Sequence, residues 1–232
     1  MDDRLTTPCI VEVVDRAVLA EAPAFAELGV ATVHEAQART GLLDREIKPV
    51  SSGMRAAGPA VTCLNQPGDN LMLLAALELC RPGDVLVVAN LAPATCGMVG
   101  EIIASMLKAK GVAGLVVDGG VRDLRELRTV GLPIWARAIS ASGTTKGGPG
   151  WVNVPVVAAG ATVRPGDMVV ADDDGVVVVP AGAAPDVLTK ARARAEREAE
   201  LLERINAGDV PPLPAELRRQ LTQLGVRRFS AD

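Results

Sequence analysis

Aromatic rings and positive charge are scarce in this sequence. Its 232 residues include no tyrosine, two phenylalanines and two tryptophans, and 28 acidic residues outnumber 24 lysines and arginines. So few rings cannot build the stacking platform that binds single-stranded nucleic acid. A net charge of −4 also leaves no basic surface to neutralise phosphates. We therefore expect no nucleic-acid partner.

Histidine and cysteine are too sparse for a zinc site. The single histidine is His34, and the four cysteines lie far apart without a C-x-x-C pair. A Cys/His zinc cluster built from one chain is thereby excluded. Carboxylates and water remain as metal ligands, and they suit a hard ion such as Mg²⁺ or Mn²⁺. The cysteines are Cys9, Cys63, Cys80 and Cys96.

Long apolar runs and linkers are also missing. No apolar run reaches the length of a membrane-spanning helix, and the start MDDRLTTPCI has neither the basic nor the apolar region of a signal peptide. We expect a cytoplasmic protein with reduced thiols and no membrane partner. No Ser-, Gly- or charge-rich linker divides the chain, so we predict one domain over 1–206, followed by a tail at 207–232 that packs on the domain or on a neighbouring subunit.

Apolar strands alternate with amphipathic segments along the chain, which predicts an α/β fold. Two RPGD segments, at 81–84 and 164–167, predict type II turns that each lead into a strand. The run Asp172-Asp173-Asp174-Gly175 predicts a hairpin turn, because it lacks the ligand spacing of a calcium loop. Helices are predicted at 11–21, 23–40, from Asp69 as N-cap to Cys80, and at 100–110, 123–130 and 186–206; strands at 54–64, 85–90, 113–118 and 133–139.

The most informative stretch is 97–126. Glu101 opens an amphipathic segment, an apolar strand follows, and a glycine turn then delivers Arg122 and Asp123. Unpaired backbone N–H groups gather where a strand ends and a helix begins, so a cation and an anion there suggest that a metal meets an acidic substrate. Local spacing leaves two alternatives open. Asp123 and Glu126 fit a capping box, with Arg122 as a solvated surface charge, and Glu101 fits a charge that complements the helix dipole.

Longer segments carry a family resemblance. They are LGVATVHEAQARTGLLDREIKPV (28–50), GTTKGGPGWVNVPV (143–156) and RPGDMVVADDDGVVVVP (164–180). They resemble the class II pyruvate aldolases that cleave 4-hydroxy-4-methyl-2-oxoglutarate and 4-carboxy-4-hydroxy-2-oxoadipate, the enzymatic branch of the RraA-like superfamily. The family's most specific element is an acidic residue, twenty residues, then Arg-Asp. Here it is Glu101 before Arg122-Asp123, one methylene longer than the usual Asp, which bears on metal geometry more than on reaction class.

The resemblance implies a single-domain αββα sandwich of the RraA-like (swivelling β/β/α) type. It implies retro-aldol cleavage to pyruvate plus pyruvate or oxaloacetate, with accompanying oxaloacetate decarboxylation. A homotrimer or homohexamer with active sites at subunit interfaces is also implied. The rival from another class is a non-catalytic RraA-like regulator that binds a protein such as RNase E. Such regulators generally lack the acidic residue at the position of Glu101, so the sequence favours the enzyme.

The resemblance also assigns metal ligands. Asp123 would bind Mg²⁺ directly, while Glu101 would bind it through water. Glu198 of the partner subunit would complete the water network. Mn²⁺ or another divalent ion is an expected substitute for Mg²⁺.

Substrate contacts follow from the same resemblance and from helix chemistry. Arg122 would bind the keto oxygen where enolate charge builds. The N–H groups of Ile102 and Ile103, just after Gly100, would hold the substrate carboxylate. Lys146 would meet a distal carboxylate.

Two further residue types have competing interpretations. A Schiff-base mechanism needs a lysine in an apolar setting. Of the five lysines, only Lys146 has a sequence setting that could be apolar, so metal chemistry is favoured. The SGTTKGG segment around Lys146 fails the spacing of a phosphate loop, which argues against nucleotide binding. His34 is interpreted as a hydrogen-bonded structural residue rather than a base. The other lysines are Lys48, Lys108, Lys110 and Lys190.

Overall fold

A computed structural model describes residues 6–227 of the chain. Twelve strands occur in this part: β1 (Cys9–Ile10), β2 (Lys48–Pro49), β3 (Ala56–Asn65), β4 (Val85–Asn90), β5 (Gly97–Val99), β6 (Gly114–Val121), β7 (Ile134–Ile139), β8 (Trp151–Val152), β9 (Val156–Ala158), β10 (Ala161–Val163), β11 (Met168–Asp172) and β12 (Gly175–Val179). Six α-helices accompany them: α1 (Ala22–Ala36), α2 (Leu71–Leu79), α3 (Glu101–Ala109), α4 (Leu124–Val130), α5 (Ala184–Asn206) and α6 (Ala215–Gln223).

The main sheet has the order β1-β8-β3-β4-β6-β7-β2. Its centre, from β3 through β4 and β6 to β7, is parallel, and such strands are apolar throughout because both faces are covered. The short β5 pairs in parallel with the carboxyl end of β6. The first half of β3 instead pairs with β11, which forms a hairpin with β12. The long β3 therefore links two β layers.

Helices cover the outside of both β layers. On one side Leu73 of α2 and Leu107 of α3 pack in the same buried cluster as Leu115 of β6. The opposite face of the main sheet presents Trp135 to the β11–β12 layer. Phe25 of α1 packs in a third cluster that also holds residues from the start of α5. The order helix, sheet, sheet, helix confirms the predicted αββα sandwich.

Contacts divide the chain into two compact units, Met1–Arg194 and Ala195–Asp232. The sequence-based boundary after residue 206 falls at the end of α5, whereas the contacts separate within that helix. The described part of the second unit holds the remainder of α5 and the helix α6. No helix among residues 6–227 combines the length and apolarity needed to cross a bilayer.

Two local predictions were wrong. Residues 11–16 are not helical, and only a 3₁₀ turn occurs at Ala17–Glu21. The segment has no regular structure, and at its start Val11 exchanges hydrogen bonds with Val152 and Asn153, a tertiary contact that overrides helix propensity. The predicted N-cap Asp69 is also displaced, since α2 begins at Leu71 with Asn70 in the N-cap position.

The two RPGD turns and the hairpin match their predictions. Gly83 and Gly166 have φ values of 87° and 85°, as the third position of a type II turn requires. Asp84 and Asp167 donate their N–H groups back to the first residue of each turn. Asp172 pairs with Gly175 across a two-residue loop, so this acidic run is a hairpin turn.

Candidate active site

A pocket of about 270 Å³ opens beside the paired carboxyl ends of β5 and β6. Because neighbouring parallel strands end at the same edge, the residues that follow them meet there. The predicted residues Arg122, Asp123, Ile102, Ile103 and Lys146 all line this pocket. The complete lining is Asn70, Leu74, Gly97, Met98, Gly100, Ile102, Ile103, Met106, Arg122, Asp123, Gly143, Thr144 and Lys146.

Asp123 occupies an unusual backbone conformation and serves a neighbouring helix. Its φ of 57° lies in the left-handed region, which Asp tolerates better than most residues but at a cost in free energy. Its side chain makes no capping bond to α4. Instead, Oδ2 accepts the N–H of Glu101 at 3.2 Å, at the start of α3. The capping-box alternative with Glu126 is therefore wrong.

Arg122 stands beside this carboxylate with its cation open to the pocket. The distance from Nε of Arg122 to Oδ2 of Asp123 is 3.7 Å, and both side chains are nearly half exposed, at 46% and 43%. An exposed pair at this distance binds weakly, so the guanidinium keeps donors for a ligand. The backbone of Arg122 is held by its own N–H, which donates to Val99 at 2.8 Å.

Two glycines give the pair its space. A Cβ added to Gly100 would lie 2.2 Å from Oδ2 of Asp123 and 3.1 Å from Nε of Arg122. A Cβ on Gly97 would lie 2.4 Å from the carbonyl oxygen of Ser140 and 2.9 Å from Cβ of Arg122. Gly97 therefore requires glycine because a Cβ would meet backbone, whereas a Cβ at Gly100 would displace the carboxylate of Asp123.

The amino end of α3 offers free donors at the same place. Glu101 gives its N–H to Asp123, and Ala104 is the first residue whose N–H bonds within the helix turn, to Gly100. Within residues 6–227 no hydrogen bond is formed by the N–H groups of Ile102 and Ile103. Together with the helix dipole these groups favour an anion.

Three predicted residues have other positions. The Glu101 side chain is exposed and does not line the pocket, although its backbone starts α3 beside Asp123. Glu198 lies on α5 in the second unit and is exposed. His34 lies near the end of α1, outside the pocket lining, and within the described residues its ring makes no hydrogen bond. The hydrogen-bonded role predicted for His34 is therefore not observed in this part of the chain.

Sequence reasoning missed Asn70. Its side chain is 4% exposed, and Nδ2 donates to the carbonyl of Met98 at 2.9 Å. Oδ1 is buried without a partner within the described chain, an uncommon state for an amide oxygen. The only signal in the sequence was its position before an apolar helical run, which marks an N-cap rather than a pocket residue.

Asp69 was also missed as part of the site's framework. Burial alone would raise the pKa of its carboxyl, but hydrogen bonds from Gly147, Leu71, Thr145 and Gly148 outweigh burial and lower the pKa to about 2. Asp69 is therefore ionised at every ordinary pH. It joins the start of α2 to the segment that carries Lys146.

The donor set of the pocket fits a hard cation only in part. Among residues 6–227 no group of three or more His, Cys, Asp or Glu side chains is clustered closely enough to hold a metal. One half-exposed carboxylate, Asp123, stands in the pocket with Glu101 adjacent. Mg²⁺ is commonly bound by one or two carboxylates together with water and substrate oxygens, so this donor set is compatible with it.

The buried thiols take no part in this chemistry. Burial raises the pKa of both Cys63 and Cys80 to about 12, so they stay protonated and unreactive. None of the four cysteines forms a disulfide within residues 6–227.

Comparison with known proteins identifies the family. The model of the RraA-like family, described as Aldolase/RraA, matches residues 13–178. A protein of Halalkalibacterium halodurans named "Putative 4-hydroxy-4-methyl-2-oxoglutarate aldolase" is 36% identical over 179 residues, which cover 77% of this chain and 85% of that protein. A protein of Burkholderia multivorans with the same name is 38% identical over 157 residues, covering 66% and 95%.

A solved structure has the same fold. RraAS2 of Streptomyces coelicolor, described as an unusual member of the RNase ES inhibitor RraA protein family, superposes with a TM-score of 0.70 at 34% identity, covering 81% of this chain and 96% of that chain. The fold, the site and these matches define an α/β protein with a pocket at the edge of a parallel sheet. The chain belongs to the RraA-like family.

Proposed function

We propose that this chain is a divalent-metal-dependent aldolase. It would cleave 4-hydroxy-4-methyl-2-oxoglutarate or 4-carboxy-4-hydroxy-2-oxoadipate to pyruvate plus pyruvate or oxaloacetate, and would also decarboxylate oxaloacetate. One observation carries the proposal: Asp123, Arg122 and the free N–H groups of α3 line a single pocket. The names of the two relatives support the same substrate class.

The metal would be Mg²⁺, held directly by Asp123 and through water by Glu101 and by Glu198 of the partner subunit. When bound, this ion supplies a positive charge that polarises the keto group of a 2-oxo acid. Two features of the chain position the carboxylate of Asp123: the N–H of Glu101 donates a hydrogen bond to it, and Gly100 leaves the space that it occupies. Sites at subunit interfaces in a homotrimer or homohexamer belong to this proposal.

Arg122 would bind the oxygen on which negative charge develops as the carbon–carbon bond breaks. Its interaction strengthens as that charge grows, which is the property a catalytic donor needs. The N–H groups of Ile102 and Ile103 would hold the carboxylate of the 2-oxo acid. Lys146 would face the far carboxylate of the longer substrates.

The proposal is tested by an assay of pyruvate release from both aldol substrates and from oxaloacetate, with Mg²⁺ and with EDTA. Activity should require the metal, and borohydride trapping with pyruvate should leave the protein unlabelled. Labelling of Lys146 would instead indicate a Schiff base.

Arg122→Lys sharpens the test. Lysine keeps the charge but loses the planar fork of donors, so we expect kcat to fall by roughly 10²-fold and KM to change much less. A wild-type rate in this variant would contradict the role of Arg122.

A second candidate function is a regulator that binds a protein partner, favoured by the likeness to the Streptomyces RNase ES inhibitor family. Failure of the wild-type protein on all three substrates with Mg²⁺ present would favour this candidate over the aldolase.

A further inference from the structure

The segment that carries Lys146 is attached along its length to the turn before α2. Thr145 donates its N–H to Gly68 at 2.9 Å, and Asn70 donates its N–H to Thr145 at 3.1 Å. Gln66 donates from Nε2 to Pro149 at 3.0 Å. These contacts join residues 75 to 83 positions apart and place Thr144 and Lys146 on the pocket wall.

One carboxylate organises this attachment. Oδ2 of Asp69 accepts the Thr145 hydroxyl at 2.7 Å, the Gly147 N–H at 2.7 Å and the Gly148 N–H at 3.0 Å. Oδ1 accepts the N–H of Leu71 at 2.9 Å. Asp69 is only 2% exposed, so these four donors replace the water that an ionised carboxylate would otherwise require.

The SGTTKGG segment, which lacks the spacing of a phosphate loop, does surround an anion in this structure. Successive N–H groups curl around an anion, as they do in an anion-binding nest. The anion is the chain's own Asp69, so Gly147 and Gly148 have no N–H left for a phosphate. Lys146 lies between Thr145 and Gly147 in the sequence but makes no hydrogen bond to Asp69. Within the described residues the ammonium group of Lys146 forms no hydrogen bond or ion pair, and its side chain lines the pocket.

We propose that Asp69 is a positioning residue that fixes Lys146 at the pocket, so that the site selects 2-oxo acids that carry a second carboxylate. This inference rests on the proposed function for the 2-oxo acid end of the ligand. A lysine side chain is long and flexible, so the protein positions Lys146 by fixing the backbone around it. Asp69 acts through that backbone and does not itself touch the ligand.

The inference is tested by two ligands that differ in the second carboxylate. Pyruvate has one carboxylate, and 2-oxoglutarate has two and lacks the hydroxyl group needed for cleavage. Their dissociation constants are measured by calorimetry with Mg²⁺ on the full chain. The wild-type protein should bind 2-oxoglutarate more tightly. Asp69→Asn should weaken 2-oxoglutarate by about tenfold, the effect of losing one charge-assisted contact, and pyruvate by less than about twofold.

Asp167→Asn is the matched control. Asp167 is 4% exposed and accepts the N–H groups of Arg164 at 2.8 Å and Ala181 at 3.0 Å, but it lies in an RPGD turn outside the pocket lining. It should reproduce a loss of stability without a change in ligand preference. Thr145→Val removes a single bond to Asp69, and it gives the same test with a smaller shift if Asp69→Asn folds poorly.

A double variant separates positioning from general loosening of the structure. Lys146→Met should weaken 2-oxoglutarate by about tenfold, and adding Asp69→Asn to it should cost less than about a further twofold, because both changes remove one contact. The inference would be overturned if the loss of 2-oxoglutarate affinity in the double variant equalled the product of the losses in the two single variants. Equal weakening of pyruvate and 2-oxoglutarate in Asp69→Asn, or a wild-type protein without preference for 2-oxoglutarate, would also overturn it. A protein that shows this preference but releases no pyruvate from either aldol substrate would contradict the proposed function and leave the role of Asp69 standing.

Discussion

Two aspartates beside the same pocket are treated in opposite ways by the fold. Asp69, two residues before α2, is buried and accepts four hydrogen bonds. Asp123, directly before α4, is 43% exposed and accepts one. A carboxylate whose acceptor sites are filled by the protein shapes its surroundings, whereas one left open can bind a ligand. The number of hydrogen-bond donors around each carboxylate therefore distinguishes Asp69, which has a structural role, from Asp123, which can bind a ligand.

The backbone shows the same contrast. Asp123 has a left-handed φ of 57°, a conformation that costs free energy and clusters at functional sites. Asp69 has no such conformation and gains its position from hydrogen bonds alone. Strain is thus found at the open carboxylate, where position matters for a ligand.

The largest expected effect comes from Asp123→Asn. Asparagine tolerates the left-handed conformation and can still accept the Glu101 N–H, but it lacks the charge that a divalent metal needs. We expect metal-dependent pyruvate release to fall by about 10³-fold, with a change of less than about 1 kcal/mol in unfolding free energy. Asp173→Asn is the control, since Asp173 also accepts one backbone N–H, from Gly53. Equal losses in the two variants would remove the distinction drawn for Asp123.

Gly100→Ala should have the next largest effect. Its Cβ would lie 2.2 Å from Oδ2 of Asp123, so the carboxylate must move. We expect Mg²⁺ affinity, measured by calorimetry, to weaken by about tenfold. Gly147→Ala, beside the other aspartate, has no atom within 4 Å of the added Cβ and keeps its N–H, so it should leave the affinity unchanged. An unchanged affinity in Gly100→Ala would mean that Asp123 does not hold the metal.

The smallest effect concerns pH. The pKa of Asp69 is lowered from 3.8 to about 2 in the folded chain, so its stabilising contribution is complete above about pH 4 and is lost as the pH falls through 2. The difference in unfolding free energy between wild type and Asp69→Asn should therefore narrow as the pH is lowered from 5 toward 2. Urea titrations across this range measure it. A difference that stays constant would show that the Asp69 charge is not responsible.

Much of the fold was predictable because its signals are local. The apolar runs that form β4 and β6, and the RPGD turn before Val85, carry their structure in adjacent residues. Residues 11–16 misled for the opposite reason. Arg16 binds Asp84 at 2.8 Å across 68 positions, and no helical periodicity records such a contact.

The candidate site divides in the same way. Arg122 and Asp123 were singled out because they follow an apolar strand, at the end of which a parallel sheet gathers ligand-binding groups, whereas Glu101 was assigned from the family resemblance. The partner of the Asp123 carboxylate was not predictable from the D-L-R-E spacing, which fits a capping box equally well. The Asp123 carboxylate accepts the N–H of Glu101 on α3, a tertiary contact that local spacing does not encode. The framework role of Asp69 was missed because three of its donors lie 76 to 79 positions further along the chain. Asn70 was missed because its side chain binds Met98, 28 positions away.

The buried indole of Trp135 has a spectroscopic consequence. It is fully buried between the two β layers, and Nε1 donates to the carbonyl of Asp172 at 2.7 Å. The other tryptophan, Trp151, lies on β8 of the first unit, and the chain has no tyrosine. Intrinsic tryptophan fluorescence therefore originates in Met1–Arg194, and the contribution of Trp135 is expected to change when the two β layers separate.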